Sequence, residues 1–290
     1  MVQQVTAYID YLKHQHGLQV TVHDRTALLA PYMGELAAYN VHANPYCLYV
    51  KSQKNLWDRC RQKQDKVFAK CREGAFFGMC YAGVEEFVVP FFYEGAVAGF
   101  VSVSGYRKNA VQAQQRICTL SNEYRLDRGM LSSLYEEHLS PDIPDMGFVR
   151  TLIVPLCAML SLLCSHTAQT YPEERYVSES NYIYGHIIVY LRKNYASKIT
   201  LERLAAMCHC SKSYISHIFK KHSGLSVSAY VNQLRLSEAK RLLADTTLSV
   251  KEISDLVGFS DPNYFSSAFK KAFSTSPKQF RAGAPESAAP

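Results

Sequence analysis

GFSDPNYFSSAFKKAFSTSPKQF, residues Gly258 to Phe280, studs one side of a stretch with aromatics and closes it with two lysines. Phe265, Ala268, Phe269 and Ala272 recur at i, i+3, i+4 and i+7, the spacing of a helix's buried stripe. Asn263, Ser266, Ser267 and Lys270 repeat that spacing and fall on a separate face. Asp261-Pro262 suits the start of such a helix, because a carboxylate caps free amides and proline is pre-set for the first turn.

The pattern occurs twice. LERLAAMCHCSKSYISHIFKKHSGLSVSAY (201–230) lies over VKEISDLVGFSDPNYFSSAFKKAFSTSPKQF (250–280), with Leu204 on Ile253 at an offset of 49. One residue is then inserted, and Tyr214, Phe219, Lys220, Lys221, Ser226 and Tyr230 meet their partners at an offset of 50. Each copy reads as a short helix, a turn and a second helix. In the first copy Ile215, Ile218 and Phe219 face inward, while Ser213, Ser216, His217 and Lys220 share the outer face. Small polar groups reach base edges in a major groove, and lysines hold phosphates. The candidate DNA-binding residues are Lys212, Ser213, Ser216, His217, Lys220, Lys221, Asn263, Ser266, Ser267, Lys270 and Lys271. Between the copies, SVSAYVNQLRLSEAKRLLA (226–244) reads as one helix, roughly 28 Å long at 1.5 Å per residue. Successive major-groove faces lie about 34 Å apart, so one chain can present both readers to one side of a duplex.

Charge follows the same division. Residues 181–290 hold 15 Lys+Arg against 7 Asp+Glu, leaving 17 against 18 for residues 1–180. The whole excess of +7 thus belongs to the C-terminal part, the footprint of a polyanion-binding module beside a neutral partner. With 290 residues, 48% hydrophobic and 20% charged, the composition is that of a globular chain with room for two domains.

Within the N-terminal part a helix is expected at about 3–16 and a strand at 18–22. A β-hairpin follows over Glu86–Tyr93 and Ala96–Ser104 about Glu94-Gly95, then helices at about 110–122, 127–139 and 145–168. Residues 42–85 read as loop-rich. Ala168 to Ser180 loses the apolar period and reads as the inter-domain linker. The expected fold is α+β: a mixed domain over 1–167, linker 168–180, an all-α domain of two helix-turn-helix units over 181–282, and a tail at 283–290. The start of the chain lacks a signal-type apolar run, and TLIVPLCAMLSLLC (151–164) is short for a membrane span and contains Pro155, so a cytoplasmic protein is expected. That stretch suits a buried or dimer-forming helix.

On SKSYISHIFKKHSGLS, RLSEAKRLL and VKEISDLVGFSDPNYFSSAFKKAFSTSPKQFR, the region 181–282 resembles the AraC/XylS family of DNA-binding domains. The resemblance implies a bacterial transcription factor, usually an activator, that binds double-stranded DNA and acts with RNA polymerase. His217 stands where relatives often carry a larger basic residue. NPYCLYVKSQKNLWDRCRQKQ, KCREG and MCYAGVEEFVVPFFYEGAVAGFVSVSG resemble the PocR-type sensory domain, a relative of the PAS fold, over roughly 3–165. This implies a PAS-like domain that binds small organic molecules, diols being the best-known class. Tyr81 stands where relatives often carry His.

Trp57, Tyr81, Phe91 and Tyr93 (with Phe76 and Phe77) offer apolar walls for such a ligand, and Glu86 a polar anchor. Cys47, Cys60, Cys71 and Cys80 admit three readings: a zinc or iron site, inert buried thiols, or a redox switch. Their 12, 10 and 8 intervening residues contain no C-x₂-C pair. That also separates the chain from Ada-type repair regulators, whose zinc-bound cysteines include one. Nine cysteines in a cytoplasmic chain argue against a disulfide framework, and Cys208, His209 and Cys210 are expected to be structural. No Ser-His-Asp order, H-E-x-x-H helix or phosphate loop is found, so no enzyme is expected. The expected function is a ligand-responsive regulator, a metal or redox sensor driving the same DNA reader being the alternative. A homodimer would present four reading helices.

Overall fold

A computed structural model describes residues 1–170 and 179–283. Most of the expected linker, and the tail from 284 on, lie outside these residues. Helix α7 runs on to Thr170 and α8 begins at Glu179, so both margins of the expected linker are helical. The chain divides into two compact units, 1–186 and 187–290, the division falling inside α8 (Glu179–Asn194).

In the first unit, strands β1 (Gln19–Asp24), β2 (Phe76–Met79), β3 (Glu85–Tyr93) and β4 (Ala96–Tyr106) form an antiparallel sheet in the order β1-β4-β3-β2. The β3–β4 hairpin turns at Glu94 and Gly95, both at positive φ, which matches the twist of the paired strands. Strand alternation then sorts the two faces. Val22, Phe87, Val89, Val101 and Val103 enter the main core with Val5, Ile9 and Leu12 of α1 (Val2–His16). His23, Glu86, Phe100 and Ser102 take the opposite face.

Helix α7 (Met146–Thr170) covers the apolar face, burying Val149, Ile153, Leu156, Leu160 and Leu163 at spacings of 3 and 4 residues. By length and composition alone it could cross a membrane, with a mean hydropathy of 2.0 over its most apolar window, but this stripe is committed to the core. Val154 and Leu162 remain exposed on its outer side.

The segment expected to be loop-rich is largely helical: α3 (Pro45–Val50) and α4 (Lys54–Lys70) occupy it, with β2 behind them. In α4 only Leu56 and Trp57 are buried, so the helix lacks the apolar stripe that would announce it. Helices α5 (Ala110–Tyr124) and α6 (Arg128–His138) complete the unit, capped by Asn109 and Asp127 through bonds of 3.1 and 2.6 Å to amides three residues on.

The second unit is helical in all its described elements. The first helix-turn-helix is α9 (Leu201–Met207) and α10 (Lys212–Ser223), and the second is α12 (Val250–Leu256) and α13 (Pro262–Phe273). Helix α11 (Val227–Asp245) joins them, and α14 (Pro277–Gly283) follows. The turns superpose bond for bond: Cys210 N to Ala205 O and Phe259 N to Ser254 O, each 3.0 Å, at an offset of 49. The caps Ser211 and Asp261 stand at an offset of 50, which makes Ser260 the inserted residue. His209 and Gly258 both hold positive φ at the matching turn position.

Candidate nucleic-acid interface and ligand cavity

Each second helix buries one stripe and exposes the other. Ile215, Ile218 and Phe219 of α10, and Phe265 and Phe269 of α13, are fully buried. Edge-to-face pairs finish each core, Phe219 with Tyr230 and Phe269 with Phe280, at 5.4 and 5.8 Å. Ser213, Ser216, His217, Lys220 and Lys221 are exposed on α10, as are Asn263, Ser267, Lys270 and Lys271 on α13.

Three expectations need adjustment. Ala272 is exposed, not buried; Phe273 packs on Phe269 at 4.6 Å instead, because the stripe drifts along the i, i+4 row at the helix end. Ser266 is half-buried and donates to the Pro262 carbonyl at 2.9 Å, which ties its hydroxyl to its own helix. Lys212 is held by Glu202 at 2.8 Å, so it must exchange that exposed, solvent-screened partner for a phosphate. Tyr214 and Tyr264 are exposed beside the polar faces and had not been counted in them, although their match at an offset of 50 was visible.

On the polar face of the sheet in the first unit lies a cavity of about 640 Å³. Of the residues expected to line it, Tyr81 and Glu86 do, with Phe76. Trp57, Phe91 and Tyr93 do not. Trp57 packs on Tyr182 and His186 at 5.2 and 4.2 Å, Phe91 is in the main core, and Tyr93 packs against that core, as does Phe77. The hairpin's alternation sends Phe91 to the far face, which is the physical reason.

The floor is polar. Ser102 Oγ lies 2.8 Å from His42 Nε2 and 3.2 Å from His23 Nε2, while His42 stands 3.5 Å from Glu86. Buried Lys51 donates to the His42 carbonyl at 2.8 Å and lies 3.4 Å from His186 Nε2. Burial, and then the Lys51 charge, push His42 down to about 3; burial also drives His23 and His186 well below the usual histidine value. All three rings are neutral at physiological pH. Burial pushes Glu86 up to about 7, against the bond from Ser102 that favours its charged form. His23, His42 and Lys51 were missed in the sequence. The available signal was the polar set Thr21, His23, Glu86, Ser102 and Ser104, which alternation puts on one face.

Cys47, Cys60 and Cys80 line the same cavity, but Cys71 sits in a separate apolar cluster with Val88 and Phe100. Among the described residues no group of three or more His, Cys, Asp or Glu is arranged to hold a metal ion, so the four-cysteine zinc or iron site is not assembled. Burial pushes Cys47 and Cys71 up to about 11 and raises Cys80 further, the opposite of what a reactive thiolate needs. Iodoacetamide at neutral pH should therefore modify Cys47 and Cys71 far more slowly in the native protein than in urea. Equal rates, read by peptide mass mapping, would restore the redox reading.

A helix-turn-helix domain family matches residues 204–283. The regulatory protein PocR of Salmonella typhimurium is 22% identical over 255 residues, covering 82% of each chain. The regulator YijO of Escherichia coli is 31% identical over 54% of this chain and 53% of its own. AdaA of Bacillus subtilis, a bifunctional transcriptional activator and DNA repair enzyme, is 33% identical over 41% of this chain and 53% of its own. The chain thus spans about half the length of several curated relatives it matches. Among solved structures, the C-terminal domain of the response regulator AraT from Geobacillus stearothermophilus is 32% identical over 39% of this chain and 94% of that one, with a TM-score of 0.37. The paired helix-turn-helix units thus form an AraC-type DNA-binding domain at the C-terminal end, and the chain is similar to transcriptional regulators that include PocR and YijO.

Proposed function

We propose that this protein is a ligand-responsive transcription factor, probing double-stranded DNA with α10 and α13 and sensing a small organic molecule in the cavity of its first unit. The observation that carries the reading is the pair of matched, exposed polar faces on two repeated units. Ser213, Ser216, His217, Asn263 and Ser267 face bases; Lys212, Lys220, Lys221, Lys270 and Lys271 hold the backbone, and the hydroxyls of Tyr214 and Tyr264 suit phosphate or sugar. Ser266, tied back to Pro262, serves as a spacer.

A PAS-like sensor is supported by the antiparallel sheet with helices on one face and a polar-floored cavity on the other. Diols are the ligand class the resemblance implies. Tyr182 lines this cavity from α8, the helix within which the two units divide, so a ligand that displaces Tyr182 acts on that helix. The exposed strip of α7 at Val154 and Leu162 is the surface for a homodimer. The protein acts in the cytoplasm as an activator working with RNA polymerase, and not as an enzyme.

Selection from random duplex DNA tests the division of labour. Asn263→Ala or Ser267→Ala should cost about 1–3 kcal/mol at the preferred site and relax base preference there, leaving nonspecific binding intact. Lys220→Ala should weaken binding to all sequences alike and shallow the salt slope by about one ion. If both kinds of variant shift the selected motif in the same way, the split between reading and anchoring residues is wrong.

A further inference from the structure

We infer that the cavity of the first unit takes a small organic anion, a carboxylate or phosphate ester on an apolar body, an inference that rests on the sensor reading above. Its size fits: about 640 Å³ lies within the range of small-molecule sites. Its charge is one-sided. Arg59, Lys63, Lys66 and Lys70 stand at i, i+4, i+7 and i+11, a single face of α4, and all four line the cavity. Arg116 of α5 lines it too, and Lys51 lies at the floor. Against these six cations the lining holds one carboxylate, Glu86.

The acids of α4 are committed elsewhere. Asp58 pairs with Arg61 at 3.7 Å and Asp65 with Arg25. The partners described for the lining cations are neutral. Arg116 donates to the carbonyls of Met79, at 2.9 Å, and Cys80. Arg59 donates to the Tyr124 hydroxyl at 3.0 Å and lies over the Tyr81 ring, while Lys70 lies over Phe76 at 4.3 Å. Such partners orient a cation without cancelling its charge. Like charges at i, i+4 repel, and a cleft with apolar walls concentrates their field on whatever enters. A neutral diol leaves that repulsion in place; an anion relieves it. Val67, Phe76, Met79 and Phe100 supply the wall for an apolar body, and the neutral His42 and His23, both held by Ser102 behind them, offer polar groups at the floor.

The test is calorimetric titration of the full chain with three ligands of matched body: benzoate, phenyl phosphate and 1-phenyl-1,2-ethanediol. An anion should bind at least tenfold more tightly than the diol, weaken as salt is raised, and lose at least tenfold in Lys63→Glu/Lys70→Glu. Both lysines are exposed and the change removes like-charge neighbours, so the variant should unfold no more readily than wild type, whose unfolding curve is measured alongside. Preference between benzoate and phenyl phosphate tells carboxylate from phosphate. Diol binding that equals or exceeds that of the anions, or a double variant that retains anion affinity, overturns the anion inference and leaves the sensor reading standing. Absence of binding by all three at millimolar concentration also overturns it; the sensor reading is then judged by whether cavity substitutions alter reporter transcription.

Discussion

Gly258→Ala should unfold the second helix-turn-helix unit while leaving the first in place, at a cost of about 3 kcal/mol or more. Two terms combine. Gly258 has φ +92, where an alanine is strained by about 1–2 kcal/mol. Its Cβ would also lie 2.7 Å from the Ala196 carbonyl carbon, and closer still to the oxygen. The second term decides, because His209 shows that the matching turn accepts a side chain at φ 55. Nor can the backbone at Ala196 easily withdraw. Arg235 of α11 donates to the Tyr195 carbonyl at 2.8 Å and to the Ser197 carbonyl at 3.0 Å, pinning that connector from both sides. Gly224→Ala is the control: its φ is +71, but nothing lies within 4 Å of the added carbon, so only about 1 kcal/mol is expected. Amide exchange of the full chain separates the outcomes. Protection should fall in α12 and α13 for Gly258→Ala and persist in α9 and α10. If the two alanine variants cost the same, crowding at Ala196 plays no part.

This turn also shows what can and cannot be read from sequence. The repeat, the inserted residue and, apart from Ser266 and Ala272, the split of α10 and α13 into faces were legible, because each rests on helical spacing and on local caps. Offsets of 49 at the turn and 50 at the cap follow directly from comparing the two copies. The crowding at Gly258 was not legible, since Ala196 is 62 residues away and Arg235 holds it from a third element.

The first unit divides in the same manner. Its hairpin and long apolar helix announce themselves by period. Helix α4 does not, because its face at 59, 63, 66 and 70 is turned to a cavity and carries arginine and lysines where a core helix would carry leucines. Aromatic residues misled for the complementary reason: Phe91 and Trp57 suit a ligand wall and a core equally well, and only the sheet's pleat and the position of α4 decide between them. The four cysteines look like a set only in one dimension; Cys71 ends a helix that carries it away from the other three.

Glu86→Gln should stabilise the protein at pH 8 by on the order of 3 kcal/mol and by almost nothing at pH 4.5. Glu86 is held at about 7 in the folded chain against an ordinary 4.5, so between those values the native state keeps a proton that the unfolded chain releases. By linkage, its contribution to stability is lost as pH rises from about 4.5 through about 7, and is constant above. Glutamine keeps the shape and remains neutral, which removes that slope alone. The groups facing Glu86 bear on the result. His42, at 3.5 Å, is neutral across this window, and the thiols of Cys47, Cys71 and Cys80, raised in part by the carboxylate, are neutral too. His23, His42 and His186 impose the opposite trend on both proteins: each is neutral when folded, so stability falls as pH drops below about 6.5. Because they act equally on wild type and variant, the difference between the two urea curves isolates Glu86. A gap that opens with pH from 4.5 to 7 identifies a carboxyl confined in an apolar wall. A gap of one size throughout would mean that Glu86 is already ionised against His42, and that the floor of the cavity is an ion pair.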